Sequence, residues 1–336
     1  MAQRLPTLIT DHTVLPAIAA PMFLVSGTEL VTAACLAGVI GAFPTPNARS
    51  AEILDAWMRS IVDILAAAQA RNPAQRIAPW AANIIVHRSN TRLQADLDLV
   101  IKHRAPIVIT ALGSPAAVIE AVHSYGGIVL ADVNSVAFAA KAAKTGADGL
   151  VLVASGAGGH TGHTTAFAFV DAVRQFWDGI VVLGGGISTG RSIRAAQALG
   201  ADLAYMGTRF IATDESLAAA EYKAMITEAS AEDLVLTAAF TGVPATMLRP
   251  SIVLAGLDPD TLAAKTTIDF DQPQSGSKAW KDIWSAGQGV GAIRSVQPVA
   301  ALVAELRREY RQALAEERAN PWATDIIKGG SDDLTQ

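Results

Sequence analysis

The chain has 336 residues, 51% of them hydrophobic and only 17% charged, which is apolar material enough for a large core and for a subunit interface besides. Its net charge of −5 argues against nucleic acid or an anionic membrane as a partner, and its single cysteine, Cys35, excludes an intrachain disulfide and any multi-cysteine metal site. The longest greasy stretch, Leu30 to Phe43, is too short to span a bilayer, and the N-terminus MAQRLPTL lacks a signal-peptide pattern, so a cytoplasmic protein is expected.

Short runs rich in Val, Ile and Leu alternate with Ala-rich or amphipathic stretches along the first two thirds. The predicted strands are Ile18 to Ala20, Val39 to Phe43, a segment within Ile77 to Ile85, Ile107 to Leu112, Ile128 to Val133, Gly149 to Ala154, Ile180 to Leu183 and Leu203 to Met206. Helices are expected between them at Thr28 to Ala37, Ala51 to Ala70, Thr91 to His103, Pro115 to Ser124, Ser135 to Thr145, Thr165 to Trp177 and Thr189 to Leu199. Buried strands alternating with helices in this way predict a closed (β/α)8 TIM barrel over residues 1–214, an open parallel sheet being the alternative. TGADGLVLV from Thr145 and LGADLAYM from Leu199 echo each other, each placing Gly-Ala-Asp between helix and strand.

After Asp214 the pattern changes. Glu215 to Ala229 and Glu232 to Phe240 read as helices, Pro244 to Asp260 is punctuated by prolines, and Lys265 to Lys278 is polar and turn-rich. Residues 215–277 are therefore expected to form a small helical cap subdomain, inserted after the eighth strand beside the barrel mouth. Residues 278–327 read as a C-terminal segment whose amphipathic helix, Pro298 to Glu316, returns to the barrel, and residues 328–336 as a loose tail.

Active sites of such barrels lie at the C-terminal ends of the strands, so the post-strand residues carry the candidates. The run after the sixth strand, Gly156 to His163, interleaves four glycines with His160 and His163. Glycines permit close backbone approach, and an imidazole just past a buried strand can be held with one edge facing a cavity. The alternatives are a plain turn and a solvated loop; the spacing is not the GxGxxG dinucleotide fingerprint. Gly184-Gly185-Gly186 and Gly207-Thr208 follow the seventh and eighth strands, the pair of loops that cradles phosphate in many barrels through backbone N–H groups and a helix N-terminus. Tight packing at the rim is the alternative there, and Arg209 reads either as added charge or as an ion-pair partner. His12, His87, His103 and His123 show no metal-ligand spacing, and no metal site is assigned.

As an ordered set, AAPM (Ala19 to Met22), Asn83, AGGHTG (Ala157 to Gly162), GGGI (Gly184 to Ile187), MGTRF (Met206 to Phe210) and IWSAGQGVG (Ile283 to Gly291) resemble the nitronate monooxygenase family, formerly called 2-nitropropane dioxygenases. The resemblance implies a TIM barrel binding FMN non-covalently, with NAD(P)H as a co-substrate in some members. Ala20, Pro21, Met22 and Asn83 would then approach the flavin ring, Gly184, Gly185, Gly186, Gly207 and Thr208 would serve its phosphate, and Ala157, Gly158, Gly159 and Ser285 would border it. His160 would be the catalytic acid–base group: a base toward a neutral nitroalkane, or a protonated clamp toward an ionised nitronate. Some members have a lysine where this chain has Asp132; a carboxylate facing the flavin would oppose negative charge on the reduced ring, and Asn134 offers a neutral hydrogen bond instead. The implied reaction is oxidation of alkyl nitronates or nitroalkanes with oxygen. The alternatives are an NAD(P)H-dependent reductase of an enoyl thioester or quinone and, more remotely, a barrel that binds a phosphorylated ligand without redox chemistry. The partner in each case is a small molecule, and a homo-oligomer is compatible with the composition.

Overall fold

The protein is described by a computed structural model covering residues 4–264 and 281–322. Eight parallel strands close into a barrel: β1 Ala17–Ala19, β2 Ile40–Pro44, β3 Trp80–Ile85, β4 Ile107–Ala111, β5 Ile128–Val133, β6 Gly149–Val153, β8 Ile180–Gly184 and β9 Leu203–Met206, with β9 pairing back on β1. A short strand, β7 (Gly159–His160), stands outside that ring. The barrel expected from the eight apolar runs is the fold, and the open sheet is excluded by the β1–β9 pairing.

Strand alternation divides the core in two. Ile18, Ile40, Ala81, Ile107, Ile109, Leu130, Val151, Val182 and Leu203 fill the lumen. Their neighbours Val108, Val129, Leu150 and Val181 face the surrounding helices. Cys35 is wholly buried in that outer layer, and burial pushes its thiol up to about 12, as befits a small apolar filler.

The Gly-Ala-Asp echo has a common physical cause. Gly146 and Gly200 take φ values of 92° and 107°, which only glycine adopts cheaply and which turn the chain out of the preceding helix. The aspartate that follows reaches sideways: Asp148 Oδ2 accepts the Val129 N–H at 2.7 Å, and Asp202 Oδ2 accepts the Val181 N–H at 2.8 Å. Each fixes the start of its strand against the previous one.

The outer ring is completed by the helix Val299–Arg318, which packs against the helices Gly190–Ala198 and Thr28–Leu36. Gly190 permits this approach, since a Cβ there would lie 2.1 Å from Leu306 O. Arg194 then pairs with Glu317 at 2.7 Å across the contact.

The segment after Asp214, expected to be a helical cap, is mixed. Ala220–Glu228 and Arg249–Leu254 are helices, but Glu232 to Phe240 holds a strand, β10 (Leu234–Thr237), paired antiparallel with β11 (Ala245–Leu248). An apolar run as short as LVLT carries no decisive periodicity, and pairing with Ala245–Leu248 selects the strand. The other edge of β11 pairs with β7, so this three-stranded sheet ties the segment after Asp214 to the loop after β6. The turn-rich reading of Lys265 to Lys278 and the loose tail from Lys328 fall outside the described residues. Among the described residues no helix is long and apolar enough to cross a membrane.

Candidate active site

At the C-terminal end the lumen changes character. Continuing the inward alternation past Ala81, Leu130, Val182 and Leu203 brings Asn83, Asp132, Gly184 and Tyr205 to the mouth. Asn83 is buried and donates its Nδ2 to Ile109 O at 3.0 Å. Gly184 leaves room for the Tyr205 ring, whose Cδ1 would be 3.3 Å from a Cβ placed on that glycine. Asp132 Oδ1 and Tyr205 OH are both buried and both lack a hydrogen-bond partner. Burial pushes the Asp132 carboxyl up to about 8. Burial, and then the charge of Asp132, hold the Tyr205 phenol well above its ordinary range. A carboxyl raised this far is mostly protonated at neutral pH and carries little negative charge. In the sequence Tyr205 stands only as part of a strand. Its signal lay in the alternation with Leu203, because an inward phenol must find a partner.

The turn after β1 is held by a residue that the sequence reading did not single out. Asn47 donates Nδ2 to Met22 O at 3.0 Å and to Ser26 O at 2.8 Å, while its Oδ1 accepts the Leu24 N–H at 2.9 Å. This holds Leu24 at φ 63°, the left-handed region, and sets the conformation of the Pro21–Met22 corner. A Cβ on Gly207 would lie 3.5 Å from Met22 Sδ and 3.9 Å from Ala20 Cβ, so Ala20, Met22 and Gly207 share one corner of the mouth.

The loop after β6 is bound at both sides. Thr161 donates its hydroxyl to Ala154 O at 3.0 Å and its N–H to Pro244 O at 3.1 Å, joining the end of β6 to the residues just before β11. His160 pairs with Ala245 in the β7–β11 ladder, and its Nε2 stands 3.1 Å from Thr241 Oγ1. Burial lowers the imidazole to about 4, so it is neutral at pH 7. His163 is exposed. Two of the glycines make their close approach to the protein's own backbone. A Cβ on Gly158 would lie 2.7 Å from Gly287 N, and one on Gly162 would lie 2.5 Å from Val153 O and 2.6 Å from Asn134 O. Gly159 pairs with Thr246, and the Ala157 N–H reaches Ala154 O at 3.3 Å.

The expected phosphate cradle needs one correction. The N-terminus of the helix Gly190–Ala198 is already filled: Ser192 Oγ accepts the N–H groups of Ser188 and Thr189 at 3.1 and 2.9 Å, and the Gly190 N–H donates to the Glu309 carboxylate at 2.6 Å. An anion there would face the charge of Glu309. What stays open is the glycine backbone before it. Gly185 and Gly186 adopt φ values of 130° and 70°, and a Cβ on Gly186 would meet nothing within 4 Å. Gly207 opens the short helix Thr208–Ile211, and Thr208 Oγ1 accepts the Gly287 N–H at 2.8 Å. Arg209 turns away as an ion-pair partner of Glu305, at 2.9 Å. Ser285 is held by a bridge to Met247 and by Tyr222, whose OH donates to Ser285 O at 2.5 Å, while Trp284 stacks on Tyr222 at 5.0 Å as packing. An open glycine corner beside a floor of partnerless polar groups fits a phosphate-bearing, polar-edged ring. A cavity of about 670 Å³ lined by Arg4, His123, Asp148 and Asp178 lies at the opposite end, where the strands begin, away from these loops.

The nitronate monooxygenase family profile matches residues 6–309. A nitronate monooxygenase of Paraburkholderia phytofirmans is 29% identical over 90% of this chain and 94% of that protein. A putative monooxygenase of Mycobacterium tuberculosis is also 29% identical, but the match spans 67% of this chain and only 64% of the relative's own length. Among solved structures, FabK of Thermotoga maritima superposes with a TM-score of 0.75 at 24% identity, covering 94% of this chain and 99% of that one. A nitroalkane oxidase of Streptomyces ansochromogenes superposes with a TM-score of 0.73 at 23% identity, covering 92% and 99%. At such identities the structural likeness is one of fold, whereas the family match runs from the first turn to the last helix: this chain belongs to the nitronate monooxygenase family of flavin-dependent oxidoreductases.

Proposed function

We propose that this chain binds FMN at the barrel mouth and oxidises alkyl nitronates and nitroalkanes with oxygen, His160 taking the substrate's α-proton. The observation that carries this reading is His160 itself, a neutral imidazole fixed by the β7–β11 ladder and Thr241 at the end of the barrel where the open glycine corner lies. FMN, when bound, supplies the electron acceptor and the route to oxygen. The Gly185–Gly186 and Gly207–Thr208 backbones would receive its phosphate. Ala20, Pro21, Met22 and Asn83 would line the ring, with Gly184, Asn134, Ala157, Gly158, Gly159 and Ser285 around the same space.

A nitroalkane is neutral, so its α-proton must leave before the electron-rich nitronate forms. The His160 imidazole accepts that proton, and anion and imidazolium then appear together as an ion pair. That attraction offsets the desolvation which depresses the basicity of the imidazole in the empty site. An ionised nitronate needs no such step. His160→Asn should therefore lose about 10²- to 10⁴-fold in kcat/KM on a neutral nitroalkane, far less on the ionised nitronate, and nothing in flavin content. His163→Asn should lose roughly tenfold at most on either form. Equal losses on both forms would assign His160 to binding alone, and a loss centred on His163 would contradict the reading.

A further inference from the structure

The floor of the mouth carries two polar groups that proton transfer at His160 leaves unused. Asp132 follows Leu130 inward on β5, and Tyr205 follows Leu203 inward on β9. They are near enough for the charge of Asp132 to act on the phenol, yet Asp132 Oδ1 and Tyr205 OH have no partner, each other included. The inward side chains beside them make no hydrogen bond to either group: Ile109, Val151 and Val182 are apolar, and Asn83 Nδ2 is given to Ile109 O. A buried polar group left unmet costs about 1–3 kcal/mol. Two at one end of one lumen mark a place that a ligand completes.

We infer that Asp132 and Tyr205 form a paired O–H donor on the floor of the barrel mouth, which hydrogen-bonds the acceptor-bearing edge of the flavin ring and fixes its orientation. The inference rests on the FMN reading above. A carboxylic acid and a phenol each have one O–H to give, and the polar edge of a flavin presents carbonyl oxygens and ring nitrogens that accept. Both residues position the cofactor and leave the substrate's proton to His160. Donation lasts only while Asp132 keeps its proton; the carboxylate would face those acceptors with repulsion. Since burial sets that proton's loss near 8, the contact should weaken as pH rises through this value. Tyr205 is kept protonated well above its ordinary range and His160 is already neutral, so neither changes charge in that window. The loops after β3 and β6 also bring His87 and the exposed His163 to this end, and Arg209 is paired with Glu305.

The test is fluorescence titration of folded apoprotein with FMN at about pH 6 and about pH 9, for wild type, Asp132→Asn, Asp132→Leu and Tyr205→Phe. At the lower pH, Asp132→Leu and Tyr205→Phe should each weaken FMN binding about tenfold, whereas Asp132→Asn, which keeps an N–H donor, should stay within about threefold of wild type. Raising the pH should weaken wild type about tenfold relative to Asp132→Asn. Tyr205→Phe removes one oxygen and little else, so the test survives should Asp132→Leu fold poorly. Equal affinities and equal pH profiles across the set would overturn the inference and leave the FMN reading standing. Apoprotein that takes up no FMN in any form would overturn the reading itself.

Discussion

The two ends of the barrel treat aspartate in opposite ways. Where the strands begin, Asp148 Oδ2 holds the Val129 N–H and lies 2.9 Å from His123 Nε2. At the same end Asp202 Oδ2 holds the Val181 N–H and the Arg174 guanidinium, the latter at 2.7 Å. Where the strands finish, Asp132 has Oδ1 buried without a partner and keeps its proton up to about 8. Residue type and sheet are the same at both ends. A saturated acid keeps neighbouring strands in register; an unsaturated one is left with a hydrogen bond still to make.

Removing a saturated acid should do the most harm. Asp202→Ala strips the Val181 N–H of its acceptor and the largely buried Arg174 of its carboxylate partner and should cost about 3–5 kcal/mol of unfolding free energy in denaturant titration of the apoprotein. A cost under about 1 kcal/mol would dissolve the contrast between the two ends.

Asp132→Asn should act in the other direction and depend on pH. The native carboxyl is raised from 3.8 to about 8, so its contribution to stability is full below 3.8 and is lost as pH rises through about 8. Between about pH 5 and pH 8 the wild-type apoprotein should lose roughly 3 kcal/mol relative to Asp132→Asn. Parallel stability curves for the two proteins would place the Asp132 carboxyl in water.

Gly186→Ala separates cofactor space from protein packing. The left-handed backbone should cost about 1 kcal/mol, and the new methyl meets no protein atom within 4 Å, so a loss of FMN affinity beyond that cost would come from the cofactor. Gly185→Ala is a poorer probe, because its Cβ would lie 2.9 Å from Ser155 O. The smallest effect belongs to His123→Gln. Its pair with Asp148 has side chains 39% and 37% exposed and should be worth less than about 1 kcal/mol, with no change in flavin binding.

The barrel strands were legible because most are buried Val-, Ile- or Leu-rich runs bounded by helices, and a parallel barrel demands such runs. The glycine and histidine motifs located the mouth for the same reason, as they follow those runs directly. Other features were not legible. LVLT at Leu234 reads as helix or strand until β11 is seen beside it, and Gly159–His160 becomes a strand only by pairing with that same hairpin. Glu309 fills the helix N-terminus expected for phosphate from 119 residues away in sequence, where no local pattern could announce it. Tyr205 and Asn47 do their work through contacts across the mouth, which a one-dimensional reading does not contain.

The central claim is that the unsaturated end of the barrel performs nitronate oxidation, and mixing the flavin-loaded protein with each reductant in the absence of oxygen tests it most directly. The account predicts that an alkyl nitronate bleaches the flavin absorbance within the enzyme's turnover time, that NAD(P)H does not, and that readmitted oxygen restores the colour. Rapid bleaching by NAD(P)H with indifference to nitronate would contradict it and make the chain a reductase built on the same barrel.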